Sequence, residues 1–280
     1  MSVDGVVRAA LQAPIMENPM QPTFEELARS LAQAWQQCGT IPLPPASCAP
    51  HARADAFAIQ DRMAKILGDR CVGWKVGAAV RAVQILEGHD GPIVGRLFAP
   101  RMYASPAQIP ATFDGYKIEC EFAFRFRRGV PPRKEAYTRV ELEPQLALHP
   151  GLEVAGSRYA IPEGSRKFTT HDAIADNGSG GAYVVGDAIT DWRRIDLALL
   201  PIEARIDGGA AIHTYSGEYR RDPVDIAVET VNGLCERGIG LSPGDLLSTG
   251  SLTLPTPLRS GQTYAARFAD LATLSVSIGR

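Results

Sequence analysis

One ten-residue stretch constrains the fold more than any other part of this chain. In Lys117-Ile118-Glu119-Cys120-Glu121-Phe122-Ala123-Phe124-Arg125-Phe126, apolar residues alternate with polar or small ones. A period of two is that of an extended strand. Ile118, Cys120, Phe122, Phe124 and Phe126 therefore share one face, and Lys117, Glu119, Glu121, Ala123 and Arg125 share the other. The two carboxylates then stand roughly 6–7 Å apart, from a rise of about 3.3 Å per residue. Like charges that close call for a hard cation between them, or for a salt-bridge network with Lys117 and Arg125. An E-x-E on the polar face of an antiparallel strand is ordinarily a wet surface, and on this segment alone that reading carries more weight.

The rest of the chain surrounds this strand with others. Segments of strand type are predicted over residues 71–77, 117–127, 182–185, 202–206, 246–253 and 274–278. The 27 Gly and 21 Pro supply the turns that such a sheet-rich region needs. Helical signals lie mainly before residue 70. Thr23 and Glu26 form a T-x-x-E capping box, followed by Phe24, Leu27, Leu31 and Trp35 at helical spacing and by Gly39 as a stop. A second helix is predicted over residues 51–67, ending at Gly68. A third has Asp222 as N-cap, Pro223 at its first position, Gly238 after its end and an apolar stripe through Val224, Ala227, Val228, Val231 and Leu234. The predicted class is α+β: a tail and helical part over residues 1–70, then a large, mostly β domain carrying one long helix over residues 71–280.

Composition removes several function classes. Twenty-nine Lys and Arg against 31 Asp and Glu give a net charge of −2, so neither nucleic acid nor an anionic membrane is an expected partner. No apolar run approaches the roughly 20 residues of a membrane helix. Residues 1–20 lack a continuous apolar core, so no secretory signal is read there, and their Gln, Pro and Asn content fits a loose or partner-dependent tail. Five scattered cysteines without a C-x-x-C pair read as reduced thiols of a cytoplasmic protein. The chain has no P-loop, no H-E-x-x-H and no G-x-S-x-G, and Gly238-Ile239-Gly240 follows a helix rather than a strand.

Four further segments bear chemistry. Glu153 lies among apolar and small residues in Gly151-Leu152-Glu153-Val154-Ala155-Gly156-Ser157-Arg158. A carboxylate in such company needs a partner, either a metal or Arg158. Lys75 sits in Gly73-Trp74-Lys75-Val76-Gly77, where two glycines on its own face leave an open slot, or where it is an ordinary surface lysine. Near a metal its pKa would fall and allow proton transfer. Asp176-Asn177-Gly178-Ser179-Gly180-Gly181 either presents backbone N–H groups to an anion or is a flexible turn. Ser248-Thr249-Gly250-Ser251 ends an apolar strand with groups able to bind a carboxylate. Among the five histidines only His149 falls near one of these segments.

In this order the segments resemble the 2-keto-4-pentenoate hydratase / 4-oxalocrotonate decarboxylase family of the fumarylacetoacetate hydrolase superfamily. The anchors run from Asp55-Ala56-Phe57-Ala58-Ile59-Gln60 through the Lys75, Glu119 and Glu153 segments to Ala175-Asp176-Asn177-Gly178-Ser179, Gly244-Asp245-Leu246-Leu247 and Ser248-Thr249-Gly250-Ser251. The resemblance implies a rolled-up mixed β-sheet preceded by a smaller helical part. It implies Mg²⁺ or Mn²⁺ at Glu119, Glu121 and Glu153, Lys75 as the catalytic lysine, and Thr249, Gly250 and Ser251 near the substrate carboxylate. The implied substrate is a small unsaturated 2-oxo acid, and the implied assembly a homo-oligomer, in some members joined to a neighbouring pathway enzyme. Hydration in aromatic or related catabolism is the expected reaction. The alternatives are decarboxylation as in 4-oxalocrotonate decarboxylase, acylpyruvate hydrolysis, or a non-catalytic partner subunit of the same fold. The chain departs from the family pattern at Ile93, where an Asp is usual, at Ala79-Val80, where Thr-Ser is frequent, and at Gly156, where Asp is frequent.

Overall fold

The computed structural model describes residues 22–280, so the tail expected over residues 1–20 lies outside the described residues. The first helix, Pro22–Gln37, begins one residue before Thr23, which therefore sits inside the first turn rather than at a cap. Its predicted stripe holds: Phe24, Leu27, Leu31 and Trp35 are buried. The second helix, Arg53–Leu67, ends on a left-handed Gly68 whose N–H reaches the Ala64 carbonyl. The core of this helical part includes Ile59 and Met63 and is completed by Ile93, Phe98 and Ile174.

The main sheet is mixed. Its order is Ile93–Phe98, Cys71–Gly77, Leu246–Ser251, Lys117–Phe126, Leu146–Ala155, Gly180–Val185, Met102–Ala104, with the short Thr256–Pro257 strand also on Lys117–Phe126. Cys71–Gly77 runs parallel to Leu246–Ser251 and Met102–Ala104 parallel to Gly180–Val185; the other neighbours are antiparallel. Register shifts at Cys71/Gly73, Ser248/Ser251 and Val154/Ala155 bend the strands, as bulges do, and the sheet is strongly curled. A second sheet, in the order Ile202–Ile206, Thr263–Phe268, Ala272–Ile278, Ala107–Ile109, shares one core with it. The Pro223–Glu236 helix closes that core with Val224, Ala227, Val231 and Leu234, and the Asp222 carboxylate caps it by accepting from the Val224 N–H.

The alternating segment is the strand Lys117–Phe126, and its apolar face is fully buried. Its other face is not the wet surface that the segment alone favoured: Glu121 and Ala123 are also fully buried, because the curled sheet covers both sides. The partner strand Leu146–Ala155 pairs with it over ten rungs, yet no segment pattern announced it. Pro150 and Gly151 interrupt its alternation. Among the described residues no helix is long and apolar enough to cross a membrane, and all five cysteines are free thiols.

Candidate active site

Three strands of the curled sheet bring four ionisable side chains together. Glu119 stands directly opposite Glu153 in the antiparallel ladder, which places their Cβ atoms about 4.5–5.5 Å apart. Lys75 reaches in from Cys71–Gly77, and its Nζ lies 2.9 Å from Glu153 Oε1, with both side chains almost wholly buried. The partner of Glu153 is thus Lys75. Arg158 is committed elsewhere: its Nε donates to Asp176 Oδ1 at 2.5 Å and its other nitrogens to the carbonyls of Asp176 and Gly180.

Burial sets the electrostatics. Desolvation, reinforced by the charge of Glu153, raises the Glu119 carboxyl to about 8. The same two causes, with Glu119 added, push Glu121 well above the usual carboxylate range. For Lys75 burial opposes the charge, but Glu153, Glu119 and Glu121 outweigh it, so the pKa is raised and the lysine is an ammonium. The lowered value expected beside a metal is not the value set by the protein groups alone.

Glu121 carries the clearest anomaly. It is fully buried, and among the described residues it forms no salt bridge; its polar neighbours are the hydroxyls of Ser248 and Tyr183, themselves buried. An ionised carboxylate buried with only hydroxyls beside it is costly, and a cation would satisfy it. The donor set is all oxygen, which suits a hard divalent ion. Among the described residues no three His, Cys, Asp or Glu side chains are drawn into a closed ligand cage; the Lys75 ammonium is the cation against Glu153 here.

The backbone around Lys75 explains its setting. A Cβ on Gly73 would fall 2.0 Å from the Leu246 carbonyl oxygen, so this glycine admits a neighbouring strand rather than a ligand. Gly77 does leave room, its Cβ position being 3.6 Å from Nζ. The Asp176–Ser179 turn is neither loose nor an open cradle. Asp176 is buried and grips Arg158 and Ser157, while the Asn177 amide bonds both the N–H and the carbonyl of Arg96. Asn177, Gly178 and Ser179 all take left-handed φ values of 48°, 66° and 54°. At Gly178 a Cβ would sit 2.9 Å from Lys75 Cε, so the turn lies directly on the lysine stem.

A cleft of ≈ 660 Å³ opens onto Lys75, Glu119, Glu153 and Ser251. Thr249 and Gly250 adjoin a smaller recess behind it. The Thr249 hydroxyl donates to the Phe122 carbonyl at 2.9 Å, and the Ser251 hydroxyl donates to Thr253. His149 is not part of the cleft; its Nδ1 is 2.8 Å from the Gly186 carbonyl oxygen. His89 and Tyr116 do line it and were missed; Tyr183, also missed, and Ser248, from the Ser248–Ser251 segment, flank Glu121. For Tyr183 a signal existed: Gly151 pairs with Glu121, and a Cβ there would fall 2.1 Å from the Tyr183 hydroxyl.

Known proteins share the fold and part of the sequence. No family model matches the chain. It is 30% identical over 245 residues to the 2-keto-4-pentenoate hydratase of Paraburkholderia xenovorans (strain LB400), covering 86% of this chain and 89% of that protein. It is 29% identical over 217 residues to a 4-oxalocrotonate decarboxylase of Pseudomonas sp, covering 75% and 79%. The structure of 4-oxalocrotonate decarboxylase from Pseudomonas putida G7, complexed with magnesium and adipate, superposes with a TM-score of 0.80 at 21% identity, over 94% of this chain and 99% of that one. These findings place the chain in the 2-keto-4-pentenoate hydratase / 4-oxalocrotonate decarboxylase family, on the fumarylacetoacetate hydrolase-like fold.

Proposed function

We propose that this protein is a divalent-metal-dependent hydratase of a small unsaturated 2-oxo acid in aromatic or related catabolism. Glu119, Glu121 and Glu153 would hold the ion, Mg²⁺ or Mn²⁺. Solved neighbours are described with magnesium, calcium or manganese bound. The observation that carries the reading is the fully buried carboxyl of Glu121, in no salt bridge among the described residues, beside two further acids and a buried lysine. When bound, the cation would draw in the carboxylate and keto oxygens of the substrate and polarise the keto group.

The chain's own residues supply the rest. Lys75 carries a proton at Nζ, and Glu153 at 2.9 Å holds that proton in place and can take it over. A 2-hydroxy-2,4-dienoate loses its enol proton and gains one at C5, which leaves a C3=C4 bond conjugated with the C2 keto group. Water then adds its hydroxyl at C4 and its proton at C3. The Lys75–Glu153 pair is placed to move these protons, Ser251 lines the cleft where the substrate would lie, and the Asp176–Ser179 turn keeps bulk water from the lysine stem. The five free thiols support a reducing, cytoplasmic setting. Light scattering reads the homo-oligomer that the family resemblance implies.

The test is direct. Protein stripped with a chelator and reloaded with Mg²⁺ or Mn²⁺ is mixed with 2-hydroxydienoates, and the dienol absorbance is followed. Absorbance loss with metal, none after chelation and a 4-hydroxy-2-oxo acid as product support hydration. Release of CO₂ or pyruvate as the initial product would replace it with decarboxylation or C–C hydrolysis. Inertness across the panel with metal present would argue for a non-catalytic role.

A further inference from the structure

We infer that the cleft selects a 2-oxo acid whose distal end is uncharged, apolar and larger than that of a five-carbon acid, with the Tyr116 ring as the surface on which that tail rests. The inference depends on the hydratase reading for its chemistry, but its grounds lie in a different part of the cleft.

The first ground is the seat of Tyr116. A Cβ on Gly156 would fall 2.5 Å from the ring, and one on Gly181 would fall 2.9 Å from it. The ring thus lies against two bare backbone segments. It is fixed from another side by Phe113, edge to face at 5.2 Å and 83°, and its backbone is tied to Phe113 and Leu258. A platform held this way loses little freedom when a ligand lands on it. It also lines the same cleft as Lys75, Glu119 and Glu153.

The second ground is what surrounds the platform. Ile93, Ile161, Phe168, Ala173 and Pro255 line the same cleft. Ile161 is 52% exposed at the mouth, an apolar group with contact surface to spare. A volume of ≈ 660 Å³ is far more than a five-carbon acid fills.

The third ground is charge. A substrate with a carboxylate at its far end needs a cation to receive it. Beyond Lys75 the lining offers Lys117 and His89. Lys117 is exposed and faces Glu87, and Asp114 at the rim pairs with Arg259 at 3.7 Å. Burial lowers the His89 pKa and keeps the ring neutral, with Nδ1 at 3.3 Å from the Thr170 hydroxyl. Among the described residues no arginine is part of the lining, although Arg259 Nη1 falls 2.6 Å from the Cβ position of Gly115. A distal carboxylate would find these cations already matched by acids.

The test compares three 2-hydroxydienoates under metal-loaded conditions: the five-carbon parent, an analogue with a phenyl group at the distal carbon, and one with a carboxylate there. The phenyl analogue is expected to exceed the parent in kcat/KM roughly tenfold, mainly through KM, from stacking and apolar burial, and the carboxylate analogue to fall below the parent. In Tyr116→Ala the phenyl-to-parent ratio is expected to drop to about one, whereas Tyr116→Phe, which keeps the ring, retains it. Should Tyr116→Ala not fold, Tyr116→Leu takes its place. A carboxylate analogue turned over as well as the phenyl one, or a ratio unchanged in Tyr116→Ala, overturns the inference. If no compound is turned over, the hydratase reading has failed. Binding of the saturated phenyl-tailed and carboxylate-tailed 2-oxo acids, by calorimetry on wild type and Tyr116→Ala, then decides this inference alone.

Discussion

Two buried clusters of charge adjoin the Asp176–Ser179 turn, and they are built on contrary principles. In one, Arg158 and Asp176 are almost completely buried, and their polar groups find partners. Asp176 accepts from Arg158 Nε, the Arg158 N–H and the Ser157 hydroxyl, while the remaining guanidinium nitrogens reach carbonyls. The guanidinium also lies over the Trp35 ring, as does that of Arg101. In the other, three carboxyl groups surround one ammonium, which pairs with Glu153, and burial holds Glu119 and Glu121 above the usual carboxylate range. A satisfied buried pair holds parts together; buried acids kept from ionising are a cost that a fold keeps for chemistry.

Breaking each cluster should therefore give opposite signatures. The largest effect is expected for Lys75→Met, with kcat lowered about 10²–10⁴-fold, the usual worth of a positioned proton-transfer group, and, in the metal-loaded protein where the ion would hold Glu153 in place of the ammonium, a melting temperature little changed; steady-state assay and thermal scanning read the two. Arg158→Met should do the reverse, costing about 3–5 kcal/mol of stability by leaving Asp176 buried and unpaired, as denaturant titration would show. Glu121→Gln should abolish tight Mg²⁺ or Mn²⁺ binding in calorimetry while leaving the metal-free protein as stable as wild type or more so, since a neutral amide replaces a carboxyl that burial already keeps from ionising. A loss of stability as large as that in Arg158→Met would erase the contrast.

The pH dependence of the metal-free protein sharpens the comparison further. Glu119 has a folded pKa of about 8, above its unfolded value, so between about 4.5 and 8 the folded state binds more protons than the unfolded one. Stability of metal-free protein is then expected to fall as pH rises through that window, and to fall less in Glu119→Gln, as melting temperatures across pH would report. The smallest effect is expected for Trp35→Phe, which weakens the stack under Arg158 and Arg101 by about 1 kcal/mol without touching catalysis.

Periodicity made Cys71–Gly77, Ile202–Ile206 and the Pro223–Glu236 helix legible with little error, because each follows its period and ends on a turn or cap residue. It also placed Glu119 and Glu121 on one face. It could not say that this face is covered, since coverage comes from a curled sheet assembled out of distant segments. Leu146–Ala155 was hidden by Pro150 and Gly151, although Gly151 is what makes room for Tyr183. For Glu153 the sequence offered a metal or Arg158 as partner, and Lys75 was not among the choices. Arg158, five residues away, was the local choice, yet the ladder brings Lys75 instead. Gly156 read as a lost polar group; in three dimensions it is the space that the Tyr116 ring occupies.

The parallel pairing of Cys71–Gly77 with Leu246–Ser251 carries a consequence for synthesis. Gly73 aligns with Leu246, about 170 positions later. While the chain emerges from a ribosome, the strand bearing Lys75 can find its antiparallel neighbour Ile93–Phe98 early, but its other edge stays open until Leu246–Ser251 has been made. The lysine and the carboxylates are then on separate pieces of unfinished sheet. Catalytic competence arrives late and at once, so a chain cut short before residue 246 exposes an unpaired edge and has no activity to lose.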